Sequence, residues 1–220
     1  ITLAPASVQE MADFVGLGFE LAFKYNNPAI ILADGVIGQM MEKVVLPPFQ
    51  KRRTEEEIRK NCPWAALGKT ADRKRNVITS LELDPAVMEE NNIRFQKKYK
   101  IIEKEEVRYE EINCEDADYL IVAFGSMARI CQKTIEMAQE QGIKIGLLRP
   151  ITLWPFPSQA IAAYTDKVKG IISVELNAGQ MVEDVRLAVN GKVKVEHFGR
   201  LGGIVPTPDE VLSAIKEKLM

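Results

Sequence analysis

The second half of the chain alternates short apolar runs with amphipathic stretches. Tyr119-Leu-Ile-Val-Ala-Phe124, Ile143 to Leu148, Gly170 to Val174 and Val193 to His197 have the length and composition of buried strands. Between them, helical spacing predicts a helix from the Gly125-Ser126 turn and cap to about Gln141, closed by Gly142. Further helices are expected from Ser158 to about Tyr164 and from Gly179 to about Val189. Thr207-Pro208-Asp209-Glu210 combines an N-cap hydroxyl, a proline at the first helical position and a glutamate three residues after the cap, and starts a last helix reaching Leu219. Strands alternating with helices at this spacing predict an α/β fold with a mainly parallel open sheet and helices on both faces.

The first 45 residues hold one smaller unit of the same kind. Residues 2–6 read as a strand end, and Ser7-Val8-Gln9-Glu10 has the spacing in which an N-cap hydroxyl and a carboxylate satisfy each other's free backbone donors. The helix from about Val8 carries Met11, Ala12, Val15, Phe19 and Ala22 at helical spacing and stops at Asn26-Asn27-Pro28. Ala29 to Ala33 is a continuous apolar run with the composition of a strand buried on both faces, ended by Asp34-Gly35. One β-α-β unit cannot cover a sheet on both faces, so further strands are expected elsewhere. Ile1-Thr-Leu-Ala reads as the middle of a strand, which places the natural N-terminus upstream of Ile1.

Residues 46–84 differ in character: Pro47-Pro48, Lys51-Arg52-Arg53 and Glu55-Glu56-Glu57 follow without a sustained period. Asp84-Pro85 then opens a strongly charged helix with Met88, Phe95, Tyr99 and Ile102 on one face, running to about Glu111. A connector of this length is uncommon inside a compact domain and is expected to wrap across another domain or subunit. The organisation read from sequence is therefore 1–45, a charged connector over 46–115, and an α/β domain over 116–220.

Charge narrows the partners. The 29 basic and 31 acidic residues, net −2, are mixed along the chain and give no electrostatic reason for binding nucleic acid or a membrane. No apolar stretch reaches the roughly 18 residues of a membrane span. Cys62, Cys114 and Cys131 are an odd number at long spacings, which fits neither a disulfide framework nor a four-thiolate zinc or iron–sulfur site, and a reducing cytoplasm is the expected location.

In an open parallel sheet, ligands and partners gather at the C-terminal strand edge, where helix N-termini expose free N–H groups. Gly125, Ser126 and Arg129 are thus candidates to hold a phosphate or carboxylate. Arg149 opens Arg149-Pro-Ile-Thr-Leu-Trp-Pro-Phe-Pro157, a stiff apolar segment suited to an interface through Trp154 and Phe156. Asn177 and Arg200 complete the rim from Glu175-Leu-Asn-Ala-Gly-Gln180 and Gly199-Arg-Leu-Gly-Gly203. In the first unit the corresponding turn offers Asp34, Gly35 and Gln39. A local nucleophilic triad is not expected, since His197 is the only histidine and lies within a strand pattern.

Two ordered blocks resemble the alpha subunits of 2-oxoacid:ferredoxin oxidoreductases. Leu3-Ala-Pro-Ala-Ser-Val-Gln-Glu10, Tyr25-Asn-Asn-Pro28 and Leu32-Ala-Asp-Gly-Val-Ile-Gly-Gln-Met-Met-Glu42 look like the end of that family's pyrimidine-binding domain. Ile121-Val-Ala-Phe-Gly-Ser126, Leu148 to Pro157, Val174-Glu-Leu-Asn177 and Gly199 to Gly203 look like its transketolase C-terminal-like domain. The resemblance implies an enzyme subunit whose complete complex oxidises a 2-oxoacid on thiamine diphosphate, passes electrons through iron–sulfur clusters to ferredoxin and transfers the acyl group to coenzyme A. It also implies that the activating glutamate lies outside this chain, and that a beta subunit holds Mg²⁺ and the diphosphate. Small gamma or ferredoxin-like subunits then carry the clusters. No catalytic, cofactor or metal residue is carried over, and the chain alone is expected to be an inactive scaffold, with a homodimer open to it. The block Asp34-Gly-Val-Ile-Gly-Gln-Met-Met-Glu42 resembles the 3-methyl-2-oxobutanoate (2-ketoisovalerate) branch more than the pyruvate branch. Two other readings stay open: a stand-alone nucleotide or anion-binding module using the Ser126 and Gly179 helix N-termini, and an assembly domain of another transketolase-like enzyme.

Overall fold

The computed structural model describes every residue of the chain except residue 73. In chain order its elements are β1 (Thr2–Leu3), α1 (Val8–Tyr25), β2 (Ile30–Ile31), α2 (Gly35–Gln39), α3 (Glu55–Asn61), α4 (Pro85–Glu105), β3 (Tyr109–Ile112) and β4 (Tyr119–Val122). They continue as α5 (Gly125–Glu140), β5 (Ile145–Pro150), β6 (Thr152–Trp154), α6 (Ser158–Ala162), β7 (Gly170–Glu175), α7 (Met181–Val189), β8 (Val195–Gly199) and α8 (Pro208–Leu219). Residues 1–46 with 100–220 form one compact unit and residues 47–99 another.

The first unit is built on a five-stranded sheet in the order β3-β5-β4-β7-β8, parallel except for β3, which pairs antiparallel with β5. Period-two alternation divides its side chains between two cores. Ile121, Ala123, Ile145, Leu147, Ile172 and Val174 face α5 and α8, where Cys131, Ile135, Val211 and Ile215 are buried. Leu120, Val122, Leu148 and Ile171 face α6 and α7 through Ile161, Met181, Val185 and Val189. The α/β class with a mainly parallel sheet covered on both faces is the observed architecture. Gly146 is required in β5 because a Cβ there would lie 2.9 Å from the Cα and Sγ of Cys114.

A second, three-stranded sheet in the order β2-β1-β6 belongs to the same unit: β1 runs parallel to β2 and antiparallel to β6. Here the structure corrects the reading of residues 29–33 as a strand buried on both faces. β2 pairs only with β1, and Ile30 and Leu32 are 53% and 47% exposed. The capping pattern at Ser7 is also half correct. Its hydroxyl accepts from the Glu10 N–H at 3.1 Å, but the Glu10 carboxylate turns to the Ala6 N–H and to Arg149. At α8 both halves of the box form between Thr207 and Glu210.

Two further differences concern the charged region. α4 ends at Glu105, not near Glu111, because Tyr109-Glu-Glu-Ile112 leaves the helical pattern to pair with Leu147–Pro150 along the edge of the sheet. Within the irregular stretch, Thr54 and Glu57 form a complete capping box that starts the short helix α3, a signal the sequence reading passed over.

Candidate functional site

Strand order decides where a site can lie. From β4 the chain adds β5 on one side and later β7 on the other, so the topological switch falls between β4 and β7. Beyond the C-terminal ends of those strands sit two adjoining hollows of about 290 and 170 Å³. Leu32, Phe124, Glu175, Asn177 and Gln180 line both, Asp34 and Met127 are among the further residues of the larger, and Leu153, Phe156 and Asp184 among those of the smaller. The cleft is mostly apolar with a polar side, the usual make-up of a ligand or partner pocket.

The N-termini of α2, α5 and α7 are already met by carboxylates of the chain. Asp34 serves two helices with one carboxylate: Oδ1 accepts from the Val36 and Ile37 N–H groups at 3.0 Å, and Oδ2 accepts from the Ser126 N–H at 2.8 Å. Gly125 makes this possible. Its φ is +61°, and a Cβ would stand 2.6 Å from Asp34 Oδ2. Ser126 was expected to cap α5 with its hydroxyl. Instead Phe124 occupies the cap position without a side-chain hydrogen bond, and the buried Ser126 Oγ has no hydrogen-bond partner among the described residues.

Glu175 does the same for α7. Buried at the end of β7, it accepts from the Gln180, Met181 and Val182 N–H groups at 3.0, 2.8 and 2.9 Å and from the Ser173 hydroxyl at 2.8 Å. Burial alone would raise its pKa, but these donors outweigh burial and hold the carboxyl below its ordinary value. Asp184, one helical turn into α7, goes the other way: burial pushes it up, with Glu175 and Glu183 adding repulsion. His197 lies in β8 as expected, its Nε2 3.9 Å from Glu175 Oε1.

Three candidate arginines are engaged within the chain. The Arg149 side chain is buried, holds both Glu10 oxygens at 2.7 and 2.8 Å, and places Nε 2.9 Å from Glu110 in an ion contact off the hydrogen-bond axis. Its expected place at an open loop is therefore corrected to an internal joint. Burial would lower its pKa, yet the Glu10 and Glu110 charges raise it. Arg129 pairs with Glu42 at 2.7 Å, while the other Glu42 oxygen accepts from the Val8 N–H. Arg200 pairs with Glu210 at 2.8 Å.

Of the remaining candidates, Gly35 begins α2 beside Asp34, Gln39 is exposed at the end of that helix, and Asn177 accepts from the Gly179 N–H at 2.7 Å on the cleft wall. Phe156 reaches the cleft, whereas Trp154 and Phe156 together line a separate groove of about 730 Å³. Glu175, Phe124, Gln180 and Asp184 were not singled out from sequence. Glu175 had a readable signal, a lone carboxylate ending an apolar strand run. Among the described residues no group of three or more His, Cys, Asp or Glu is placed to hold a metal ion, and Cys62, Cys114 and Cys131 are buried and free. No helix among the described residues is long and apolar enough to cross a membrane.

These features define an α/β protein with a mainly parallel sheet and a cleft at its topological switch point. Comparison with known families makes the assignment narrower. The family model "Pyruvate flavodoxin/ferredoxin oxidoreductase, thiamine diP-bdg" matches residues 1–113, and "Pyruvate:ferredoxin oxidoreductase core domain II" matches residues 117–211. The chain belongs to the pyruvate flavodoxin/ferredoxin oxidoreductase family.

Two relatives named "Ketoisovalerate oxidoreductase subunit VorB", from Methanothermobacter marburgensis and Methanothermobacter thermautotrophicus, are each 44% identical over 99% of this chain. The chain spans 60% of the length of either. The "2-oxoglutarate synthase subunit KorA" of Methanothermobacter thermautotrophicus is 30% identical over 98% of this chain and 62% of its own length. The fold is also that of a solved "2-oxoglutarate:ferredoxin oxidoreductase from Magnetococcus marinus with 2-oxoglutarate, coenzyme A and succinyl-CoA bound". That match has a TM-score of 0.77 at 22% identity and covers all of this chain and 42% of the other. The alpha designation expected from sequence does not carry over, because the two relatives at 44% identity are named as B subunits.

Proposed function

We propose that this chain is part of a subunit of a thiamine diphosphate-dependent 2-oxoacid:ferredoxin oxidoreductase acting on 3-methyl-2-oxobutanoate, and that its own contribution is scaffold and subunit contact. The observation that carries the reading is the ordered match of both family models across the chain, joined to the 44% identity with ketoisovalerate oxidoreductase subunits. Coenzyme A as acyl acceptor and ferredoxin as electron acceptor belong to the same reading.

The filled helix N-termini favour a supporting role over phosphate binding. A diphosphate brought to α5 or α7 would meet the Asp34 or Glu175 carboxylate where it needs free N–H groups. These residues do not fit the cofactor's diphosphate, which other parts of the complex are proposed to hold, together with Mg²⁺ and the iron–sulfur clusters. The same point weighs against the stand-alone anion-binding module.

Thiamine-dependent reduction of ferredoxin should be measured for the chain alone and for the assembly with its companion subunits, using 3-methyl-2-oxobutanoate, 2-oxoglutarate and pyruvate. The expected outcome is no turnover by the chain alone and a preference for the branched substrate by the assembly; turnover by the chain alone overturns the scaffold reading. Trp154→Ala and Phe156→Ala are expected to weaken assembly before they alter the chemistry. Unchanged assembly in both variants removes that segment from the interface.

A further inference from the structure

The two adjoining hollows at the ends of β4 and β7 are lined by three carboxylates, Asp34, Glu175 and Asp184, and among the described residues by no lysine, arginine or histidine. Two of the three are occupied by donors of the chain. Asp34 accepts from the Val36, Ile37 and Ser126 N–H groups. Glu175 accepts from three N–H groups at the start of α7 and from the Ser173 hydroxyl. Asp184 differs, since its carboxylate forms no hydrogen bond or ion pair among the described residues. It has given up part of its water in the hollow, and Glu175 and Glu183 repel it. A carboxylate so placed is stabilised by a cation, and no side chain of the lining supplies one.

The rest of the lining decides what kind of cation. Asp184 lines only the smaller hollow, together with Phe124, Leu153 and Phe156, and the larger continues as Ala33, Met127, Val174 and Leu176. Aromatic rings beside a carboxylate attract an ammonium group through the ring face as well as through charge. A metal ion does not fit this wall, because among the described residues no group of three or more His, Cys, Asp or Glu is placed to hold one. A 2-oxoacid, a phosphate or an amino acid would set its own anion against Glu175 and Asp184. Hollows of about 290 and 170 Å³ fall below the roughly 300–1,000 Å³ of drug-sized sites, so the molecule is small.

We propose that the cleft is a binding site for a small free amine, its ammonium group on Asp184 in the smaller hollow and its apolar body in the larger one. Gln180, which lines both hollows, offers an amide oxygen to the remaining ammonium N–H groups. The order of the hollows favours a free molecule over the lysine of a partner protein: the apolar body runs on into the larger hollow, where a lysine would have to carry its polar backbone. The site is independent of the oxoacid reading, since none of these residues has a part in that chemistry.

Binding is measured on this chain by ¹H–¹⁵N NMR with n-hexylammonium, n-hexanol and hexanoate, three probes of one length that differ in charge. n-Hexylammonium is expected to bind saturably with a Kd of about 1 mM, within the ligand-efficiency range of so small a molecule, and to shift Phe124, Asn177 and Asp184 most. n-Hexanol should bind at least about tenfold more weakly, and hexanoate more weakly still. Nα-acetyl-lysine methylamide, which carries the same head on a peptide, should also bind at least about tenfold more weakly. Asp184→Asn keeps the shape of the side chain and should bring n-hexylammonium down to the level of n-hexanol. Glu183→Gln removes the neighbouring charge outside the lining and should leave the affinity within about twofold. Equal binding of n-hexylammonium and n-hexanol, undiminished binding in Asp184→Asn, or shifts confined to other parts of the molecule each overturns the site. Equal binding of the lysine derivative overturns the assignment to a free amine. The same spectra report the fold of each variant, and the probe series on the unaltered chain decides the matter without them. No cofactor, oxoacid or companion subunit enters the measurement, so a negative result leaves the family reading standing.

Discussion

The two compact units handle polar groups in opposite ways. In residues 1–46 and 100–220, the decisive polar contacts join positions far apart in sequence and are partly or fully buried: Glu10 with Arg149, Asp34 with Ser126, and Lys24 and Tyr25 with Glu106. In residues 47–99 the Thr54–Glu57 box, the Arg59–Glu55 pair and the bond from Asn76 to the Pro63 carbonyl are exposed at least in part and span 13 positions or fewer. Apolar groups differ in the same sense. Phe49, Val77, Ile78 and Leu83 are between 76% and 92% exposed. Burial, more than composition, converts a charged side chain from surface decoration into a structural part.

Substitutions should separate the two regimes. Glu175→Ala is expected to have the largest effect, a loss of about 3–4 kcal/mol, because the Met181 and Val182 N–H groups and the Ser173 hydroxyl would be left buried without their acceptor. Urea unfolding measures it; a loss below about 1 kcal/mol would mean that α7 does not depend on this carboxylate. Arg149→Met should follow at about 2–3 kcal/mol, discounted because Glu10 and Glu110 keep some contact with water.

The pH dependence supplies a third contrast. Burial would raise the Glu106 pKa, but Lys24, Tyr25 and Arg108 outweigh it and hold the carboxyl at about 2. An unfolded glutamate titrates near 4.3, so the folded state binds fewer protons through this window. The stability from Glu106 is present above that value and lost as pH falls toward about 2. Acid unfolding followed in Glu106→Gln should show a shallower decline across that interval, and an unchanged slope would remove this cluster from the acid response. The smallest effect is expected for Thr54→Ala, about 1 kcal/mol confined to α3. Hydrogen exchange should quicken over residues 55–61 while the main unfolding transition stays in place. A shift of the whole transition would show that α3 is coupled to the other unit.

The sheet was legible because β4, β5 and β7 are apolar runs that only a doubly covered strand tolerates, and because Thr207 to Glu210 carries a complete cap signal. β3 was not, since Tyr109-Glu-Glu-Ile112 continues the charged pattern of α4 and becomes a strand only through pairing with β5. For the site, Asp34, Gly125 and Ser126 were each readable as turn residues. Their meeting was not, because no local pattern encodes a bond across 92 positions. Arg149 was misread as a loop cation for the same reason: its partners lie 139 residues earlier and, through Glu110, on the neighbouring strand.

That long separation also orders events in time. β1 lies at residues 2–3, yet one of its two neighbours, β6, lies at residues 152–154. At roughly 5–20 residues per second, a ribosome needs on the order of 10–30 s to make the intervening chain. During synthesis β1 can pair with β2 long before β6 exists, and the carboxylate of Glu10 must wait for Arg149. The β1–α1 segment therefore reaches its final contacts only after residue 154 has been made, and a companion protein acting in that interval would meet α1 before its final anchorage exists.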